Sequence, residues 1–553
     1  MVNGNGGSRS ITFSGGMTIA TTTGEGFAAT SNTNTAGLHI TGTNTISSTS
    51  ATALRVTNTI IGNSDLNFRT ISSGNNTAAA DPASGIILNT TGALGGLKVT
   101  GTGASGQGGN GTGGLIQNTT SHGISLATTR EPAFANMTIN NTAGSGINGT
   151  AVTDFTFDNG TITNSGTGGG VDTSNIAFGA VASGVNNLNG VVVITDSLLN
   201  TARYHGIDIY NEAGTISNIT VTGNSLTSST GVANSQGTGI RVQANGSASS
   251  ASVITTGTFS NNTVTNFPMG AGIEVQGGNA ALGPPAGLGD PTSAVNMITI
   301  SGNAIGGSGT TANVDALGSN AIQTAMTGTG NAKFFINGNG TVGVPLRNFL
   351  GIGISCSGGN LAVIECTVSN NVIDASANIA SSSGMAVGSQ LGVGQNGSIT
   401  ALIENNSING MEGNGILAGV SNSGNTGNFT IRGNTVGNPT GGVRPGIRVE
   451  SGSASGDTTL CLDMHDNASG GSGGSAGLGI RKQGSVATVN DFGIVGLVPS
   501  PAACGQAEDR VSSLNPGTNP GTVATGSDCD GNPGSKTLAI SGSNYVSCTV
   551  VLP

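Results

Sequence analysis

Between Asn218 and Gln276 the chain reads ITVTGNSLTSST (219–230), GTGIRVQ (237–243), TGTFSNNTVTNF (256–267) and GAGIEVQ (270–276), one pattern said twice. Each copy holds a short alternating run, an asparagine, a second short run, a variable stretch and a glycine-led third run. Alternation of period two marks half-buried strands. A unit recurring at near-fixed spacing marks a repeat architecture.

Working outward, glycine anchors fall at Gly206, Gly239, Gly272, Gly353, Gly384, Gly415, Gly446 and Gly479, in steps of 33, 33, 81, 31, 31, 31 and 33 residues. The long step is a double, holding the degenerate anchor Asn320-Ala-Ile322 and the Pro/Gly-rich insertion Gly278–Pro291. An apolar residue follows every anchor, and a second comes two positions later except at Lys482; polar residues mostly separate them. That is inward, outward, inward on one strand. A second strand precedes Asn224, Asn262, Asn303, Asn339, Asn371, Asn406, Asn434 and Asn467, and a third follows most of them. Three strands per coil, stacked in parallel, make a β-helix. No coil can bury its apolar face alone, but neighbours stack those faces into a continuous core. At the corners Asn tolerates left-handed geometry and can form a side-chain amide ladder, while Gly opens the turn.

Residues 1–175 carry similar alternations, such as Gly85-Ile-Ile-Leu88 and Gly96-Leu-Lys-Val99, often about 20 residues apart, so short coils of β-helix are expected there. Residues 176–495 hold the regular coils of 31–33 residues. In 496–553 the pattern stops. Pro499-Ser-Pro501, Asn515-Pro-Gly and Asn519-Pro-Gly read as a Pro/Gly-rich linker, and 537–540 and 545–550 as a C-terminal strand pair or cap.

Composition excludes several functions. Gly accounts for 98 of 553 residues, Trp is absent, 8% are charged and 35% are hydrophobic. Scarce charge with patterned apolar residues is unlike disorder. A net charge of −10 with no basic stripe argues against nucleic acid. No apolar run reaches the ~18 residues of a membrane span. Met1-Val-Asn-Gly-Asn-Gly is no signal peptide, so an exported chain is expected to be part of a longer precursor or to have lost its signal.

At these repeats, especially Asn218–Gln276 and Ser398–Val449, the sequence resembles right-handed parallel β-helix proteins of the pectin-lyase-like class. More narrowly it resembles the Gly/Asn/Thr-rich solenoids of large bacterial surface and autotransporter-type proteins. The resemblance covers about residues 1–495. It implies an all-β, right-handed parallel β-helix with roughly 20–33 residues per coil and a C-terminal non-repeat segment. The class holds polysaccharide lyases and glycoside hydrolases beside non-catalytic adhesins, so the fold does not choose an activity.

Asp196, Arg203, His205 and Asp208 are the acid/base candidates for a carbohydrate-active enzyme. Hydrolases of the class use an Asp-Asp pair, a Gly-His-Gly and an Arg-Ile-Lys. Here no Asp-Asp or Arg-Ile-Lys occurs, and His205 follows Tyr204. The competing reading makes Gly206-Ile-Asp-Ile209 one more anchor strand. Asp208, Arg241 and Glu274 then form a cross-strand charge ladder on successive coils. No metal or cofactor is expected. The four histidines are scattered, and Asp528-Cys-Asp530-Gly-Asn532 lacks the rest of a calcium loop. Cys356 and Cys366 are either buried thiols or a disulfide, the disulfide being expected of an exported chain. Cys461, Cys504, Cys529 and Cys548 leave room for two more bridges. The expectation is a secreted or cell-surface structural and adhesive solenoid, with carbohydrate or a neighbouring cell surface as partner and self-association open. Loops 275–292 and 306–320 are expected to carry specificity.

Overall fold

The structure, a computed structural model, describes residues 1–76, 81–103, 106–170, 173–179, 186–228, 237–279, 283–306, 317–375, 383–389, 396–421, 424–452, 457–482, 491–498, 500, 504–518, 521–522, 535–536, 538–541, 545–550 and 552–553. Loop 307–316, the Asp528–Asn532 stretch with Cys529, and Pro499, Pro501 and Asn519 lie outside the described residues. The chain divides into two compact units, residues 1–244 with 257–269, and residues 245–256 with 270–553.

Each unit is a parallel β-helix. In the first, the strands Phe27–Thr30, Leu54–Thr57, Ile86–Asn89, Ile124–Arg130, Ile147–Asp158, Ile176–Phe178, Ile207–Asn211 and Ile240–Ala244 stack in parallel and in register. In the second, Ile273–Gly277, Ile322–Met326, Ile352–Gly358, Ser383–Ser389, Ile416–Val420, Ile447–Ser451, Leu478–Lys482 and Leu538–Ser541 do the same. These form the anchor sheet of each unit. Alternation sends Ile207 and Ile209, Ile240 and Val242, and Ile447 and Val449 into the interior with no exposed surface. Burying each such side chain contributes roughly 1.5–3 kcal/mol. Like sits on like in the other columns too. Phe68, Val99, Phe134, Phe157, Ile194 and Val221 are successive register partners in the first unit. Ile373, Ile408 and Val436 stack in the third sheet of the second.

The N-terminal coils vary in length rather than being uniformly short. Followed down one column, the anchor position passes through Gly26, Ala53, Gly85, Gly123, Gly146, Asn175 and Gly206, in steps between 23 and 38 residues. The close spacing in sequence arises because neighbouring motifs belong to two sheets of one coil. Ile86–Asn89 pairs with Leu54–Thr57, whereas Leu97–Val99 pairs with Ile61–Phe68. Gly479 also needs correction. Leu478 aligns with Ile447 and Gly479 with Arg448, so Gly477 takes the anchor position in that coil. The two registers differ by two residues and so leave the same faces inward; the observed one sets Leu478 and Ile480, both buried, against Ile447 and Val449, where the other would set Ile480 and Lys482. Lys482 is then no exception to the apolar rule.

The asparagine column is a buried ladder. In the second unit the backbone N–H and Nδ2 of Asn303 both donate to Asn339 Oδ1, at 3.1 and 2.8 Å. The motif repeats from Asn339 to Asn371, Asn406, Asn434 and Asn467, and from Asn467 to Asn515. Each Nδ2 from Asn339 to Asn467 also reaches back to a strand carbonyl, as Asn406 does to Val368 O at 2.9 Å. In the first unit Asn224 bonds to Asn262 Oδ1 in the same way. The left-handed corner belongs to the preceding residue, not to the ladder asparagine. Asn261, Asn370, Asn405 and Asp466 have φ of 54–58°, and Gly302, Gly338 and Gly433 φ of 63–65°. The division is physical: the first residue turns the chain and the second sends its amide inward to the backbone.

Beyond residue 496 an unanticipated helix, Cys504–Leu514, precedes Asn515. Leu538–Ser541 and Val546–Cys548 do not pair with each other; each extends a parallel sheet, against Leu478–Lys482 and Asp491–Val495. Cys356 is bonded to Cys366, 10 residues away, and Cys461 to Cys548, 87 away. Cys504 is disulfide-bonded as well.

Two outcomes follow from this architecture. Asn406→Ala strips the acceptor from the buried N–H and Nδ2 of Asn371. It is expected to cost about 2–4 kcal/mol, read as a lowered denaturation midpoint and faster amide exchange at Asn371. Cys548→Ser opens the longer loop and should cost about 4–5 kcal/mol, against about 2–3 for Cys366→Ser, by chain entropy alone. Equal losses in non-reducing denaturation would contradict that ordering.

Candidate functional site

The four acid/base candidates all lie in the first unit, and two of them, His205 and Asp208, have side-chain bonds that account for them. Asp196 has φ of 47° and holds the left-handed corner that Asn159 and Asn261 hold in other coils. Its carbonyl accepts the Gly108 N–H at 2.7 Å. Ser197, next in the chain, donates its N–H to Asn224 Oδ1 at 3.0 Å and so joins the ladder. Arg203 is half-buried, its backbone N–H donating to Ser165 O.

His205 and Asp208 are both 2% exposed. The Thr238 N–H donates to His205 Nδ1 at 2.8 Å, which puts the ring proton on Nε2. Burial, and then the positive Arg241, hold this imidazole well below the usual histidine range. Asp208 aligns with Arg241 on the next strand and is clamped by it, Nε to Oδ1 at 2.8 Å and Nη2 to Oδ2 at 2.9 Å. A fork-on-fork pair of this kind fixes both side chains. Asp196 stands at a corner and Asp208 within an anchor strand, where Arg241 holds the Asp208 carboxylate. Tyr210, whose hydroxyl donates to Glu212 at 2.6 Å, completes this stretch. Among the described residues no group of three or more His, Cys, Asp or Glu could hold a metal ion. Nor, among the described residues, is any helix long and apolar enough to cross a membrane.

The more open surface lies in the second unit, on the outward face of its anchor sheet. Ser355, Ala386, Gly388, Leu417, Gly419 and Glu450 line a cleft of about 530 Å³. Leu417 and Glu450 also line a second cleft of about 590 Å³ with Glu412, Arg444, Arg448 and Arg481. The floor is bare because successive coils place small residues at the same outward positions, Ser357 against Gly388 and Gly388 against Gly419. A Cβ at Gly388 would come within 2.2 Å of Gly419 O, and one at Gly419 within 2.3 Å of Glu450 O. At the charged end Arg448 is ion-paired with Glu450, and Arg481 approaches the same carboxylate at 3.9 Å. Arg444 is exposed. Three of the chain's 16 basic residues therefore meet at one groove.

Inward-facing anchor residues alone do not reveal this groove. The signal is in the outward positions taken as columns: Ala325, Ser357, Gly388 and Gly419 form a run of small side chains that ends at Glu450, and beside it Ser355 and Ala386 lead through Leu417 to Arg448.

The fold defines the chain as a parallel β-helix. No family model, curated protein or solved structure matches it.

Arg241→Leu leaves a buried carboxylate without its partner and should destabilise the first unit by on the order of 3 kcal/mol. The double variant Asp208→Asn/Arg241→Leu should recover most of that loss, because the neutral amide needs no counter-charge. Thermal denaturation of both variants gives the comparison; equal loss in the two would mean the pair is not coupled.

Proposed function

We propose that this chain is an extracytoplasmic, non-catalytic solenoid that binds an extended acidic polysaccharide along the groove of its second unit. The groove carries the reading. A floor of Gly, Ala and Ser, with Leu417 among them, offers a shallow track, and exposed Arg444 together with Arg448 and Arg481, which share the Glu450 carboxylate, supplies cations for carboxylate or sulfate groups. Two disulfides, Cys356–Cys366 and Cys461–Cys548, favour an oxidising compartment. A secreted or cell-surface site, of the kind occupied by adhesive pectin-lyase-like solenoids, agrees with that. The catalytic alternative has less support, since Asp208 is committed to Arg241 and His205 to Thr238.

The test combines binding and turnover. Polygalacturonate, alginate and a neutral glucan are titrated at low and high salt, and each mixture is assayed for new reducing ends and unsaturated products. The expected result is salt-sensitive binding of the acidic polymers alone, without products. Replacing Arg444, Arg448 and Arg481 by Gln should weaken binding roughly tenfold or more. Product formation abolished by Asp208→Asn would overturn the non-catalytic reading, and undiminished binding by the triple variant would overturn the groove.

A further inference from the structure

Three of the four histidines, all in the first unit, use Nδ1 in one way: each accepts a backbone N–H from the next coil. The Ser64 N–H donates to His39 at 3.2 Å, Ser145 to His122 at 3.0 Å and Thr238 to His205 at 2.8 Å. A backbone N–H can only donate, so each Nδ1 is unprotonated and any proton on the neutral ring sits on Nε2. For His39 this is visible, since Nε2 reaches Ala36 O at 2.9 Å. Two of the rings have room because the facing positions are glycine: a Cβ at Gly62 would collide with His39, and one at Gly144 would come within 2.6 Å of His122 Nδ1. Ser145, one coil below His122 and again just before an anchor glycine, accepts the Ser174 N–H with its hydroxyl at 3.2 Å. Serine thus serves there as a neutral acceptor, and imidazole is an acceptor that acid converts into a donor.

We propose that His39, His122 and His205 are acid-released clips between coils, closed while the rings are neutral and opened by protonation, so that mild acid loosens the first unit and spares the second. The second unit's ladder is built from asparagine amides, which do not titrate in this range. Its described histidine, His465, instead lies beside Asp463 and Asp466.

The surroundings offer little to hold a protonated ring in place. Against His39, the strand Ile11–Phe13 carries no charge, and Ile61–Phe68 carries Asp65, whose Oδ1 is bonded to the Gly96 N–H. Around His122, Ile86–Asn89 is uncharged and Asp81 lies in the connection before it. Arg130 and Asp154, farther along Ile124–Arg130 and Ile147–Asp158, approach each other at 3.6 Å. His205 meets Tyr204 edge-on, the uncharged strand Ile176–Phe178 and Arg241 on Ile240–Ala244, with Asp208 already clamped by that arginine and Glu212 bonded to Tyr210. Burial pushes the His122 and His205 imidazoles down. The sign follows: a depressed folded-state pKa means the stabilising contribution is complete above the ordinary value of 6.5 and is lost as pH falls below it.

The experiment is hydrogen exchange with mass-spectrometric readout on the whole chain, at about pH 7.5 and about pH 5, corrected for intrinsic rates. Peptides containing Ser64, Ser145 and Thr238 should lose at least tenfold protection in acid, while peptides spanning Asn371, Asn406 and Asn434 keep theirs. The variant His39→Gln/His122→Ser/His205→Ser supplies neutral acceptors, following the Ser145 precedent, and should remove the difference. Ring protonation in the unmodified chain, followed by NMR of labelled histidine, should coincide with the loss of protection, which tests the clips even if the triple variant does not fold. Protection unchanged in acid, loosening shared equally by both units, or rings that protonate while protection persists would each overturn the proposal.

Discussion

A stack of coils has a difficulty that strand pairing cannot solve. Ladder bonds satisfy the backbone along the sheets, but at each corner the chain turns inward and leaves N–H groups in a dry interior, where an unpaired donor costs about 1–3 kcal/mol. Side-chain acceptors from the adjacent coil meet that need. Asn supplies it from Asn303 through Asn515, Thr59 for the N–H of Asn32, and Ser145 for that of Ser174. Asparagine is the most complete solution, since Oδ1 takes two donors while Nδ2 reaches a carbonyl on the other side.

That constraint explains why charge is so scarce and so local. Inward positions need apolar side chains and corners need small neutral polar ones, leaving the outward strand positions and loops to carry charge. Where two charges do face each other across a strand spacing, they pair: Asp208 with Arg241, Lys333 with Glu365 at 2.8 Å, and Glu404 with Arg432 at 2.7 Å. The outward column is thus free to vary from coil to coil, and the groove of the second unit is a place where it has lost its side chains.

The coil was legible because its two periodicities reinforce each other. Ile207, Ile240, Ile273 and Ile447 announce the inward face, and Asn224, Asn262 and Asn406 mark the corner. The same signals mislead where they repeat within one coil, so that Gly85 and Gly96 pass for successive anchors although they lead strands of different sheets. At Gly479 two glycines stood two positions apart, and the pairing of Leu478 and Ile480, rather than Ile480 and Lys482, with Ile447 and Val449 decided between them. The groove was not legible from anchors because it consists of absent side chains. The Asp208–Arg241 contact was legible as a ladder, but the nearly complete burial of Asp208 was not, since an outward strand position ordinarily faces water.

A ladder of this kind must also end, and its termination explains the helix that the Pro/Gly-rich composition concealed. Asn467 donates its N–H and Nδ2 to Asn515 Oδ1, as in any other rung. Asn515 keeps the usual backward bond, Nδ2 to Met464 O at 3.0 Å, but among the described residues its other donors turn to the helix, Nδ2 to Val511 O at 2.8 Å and N–H to Ser512 O at 3.2 Å. Val511 and Ser512 belong to the last turn of Cys504–Leu514, whose carbonyls have no partner within the helix. The helix end lacks donors and the ladder end lacks acceptors, so Asn515 satisfies both at one residue. A strand in the same place would have presented another open edge; the helix closes the column because its own unpaired carbonyls are what the last amide requires.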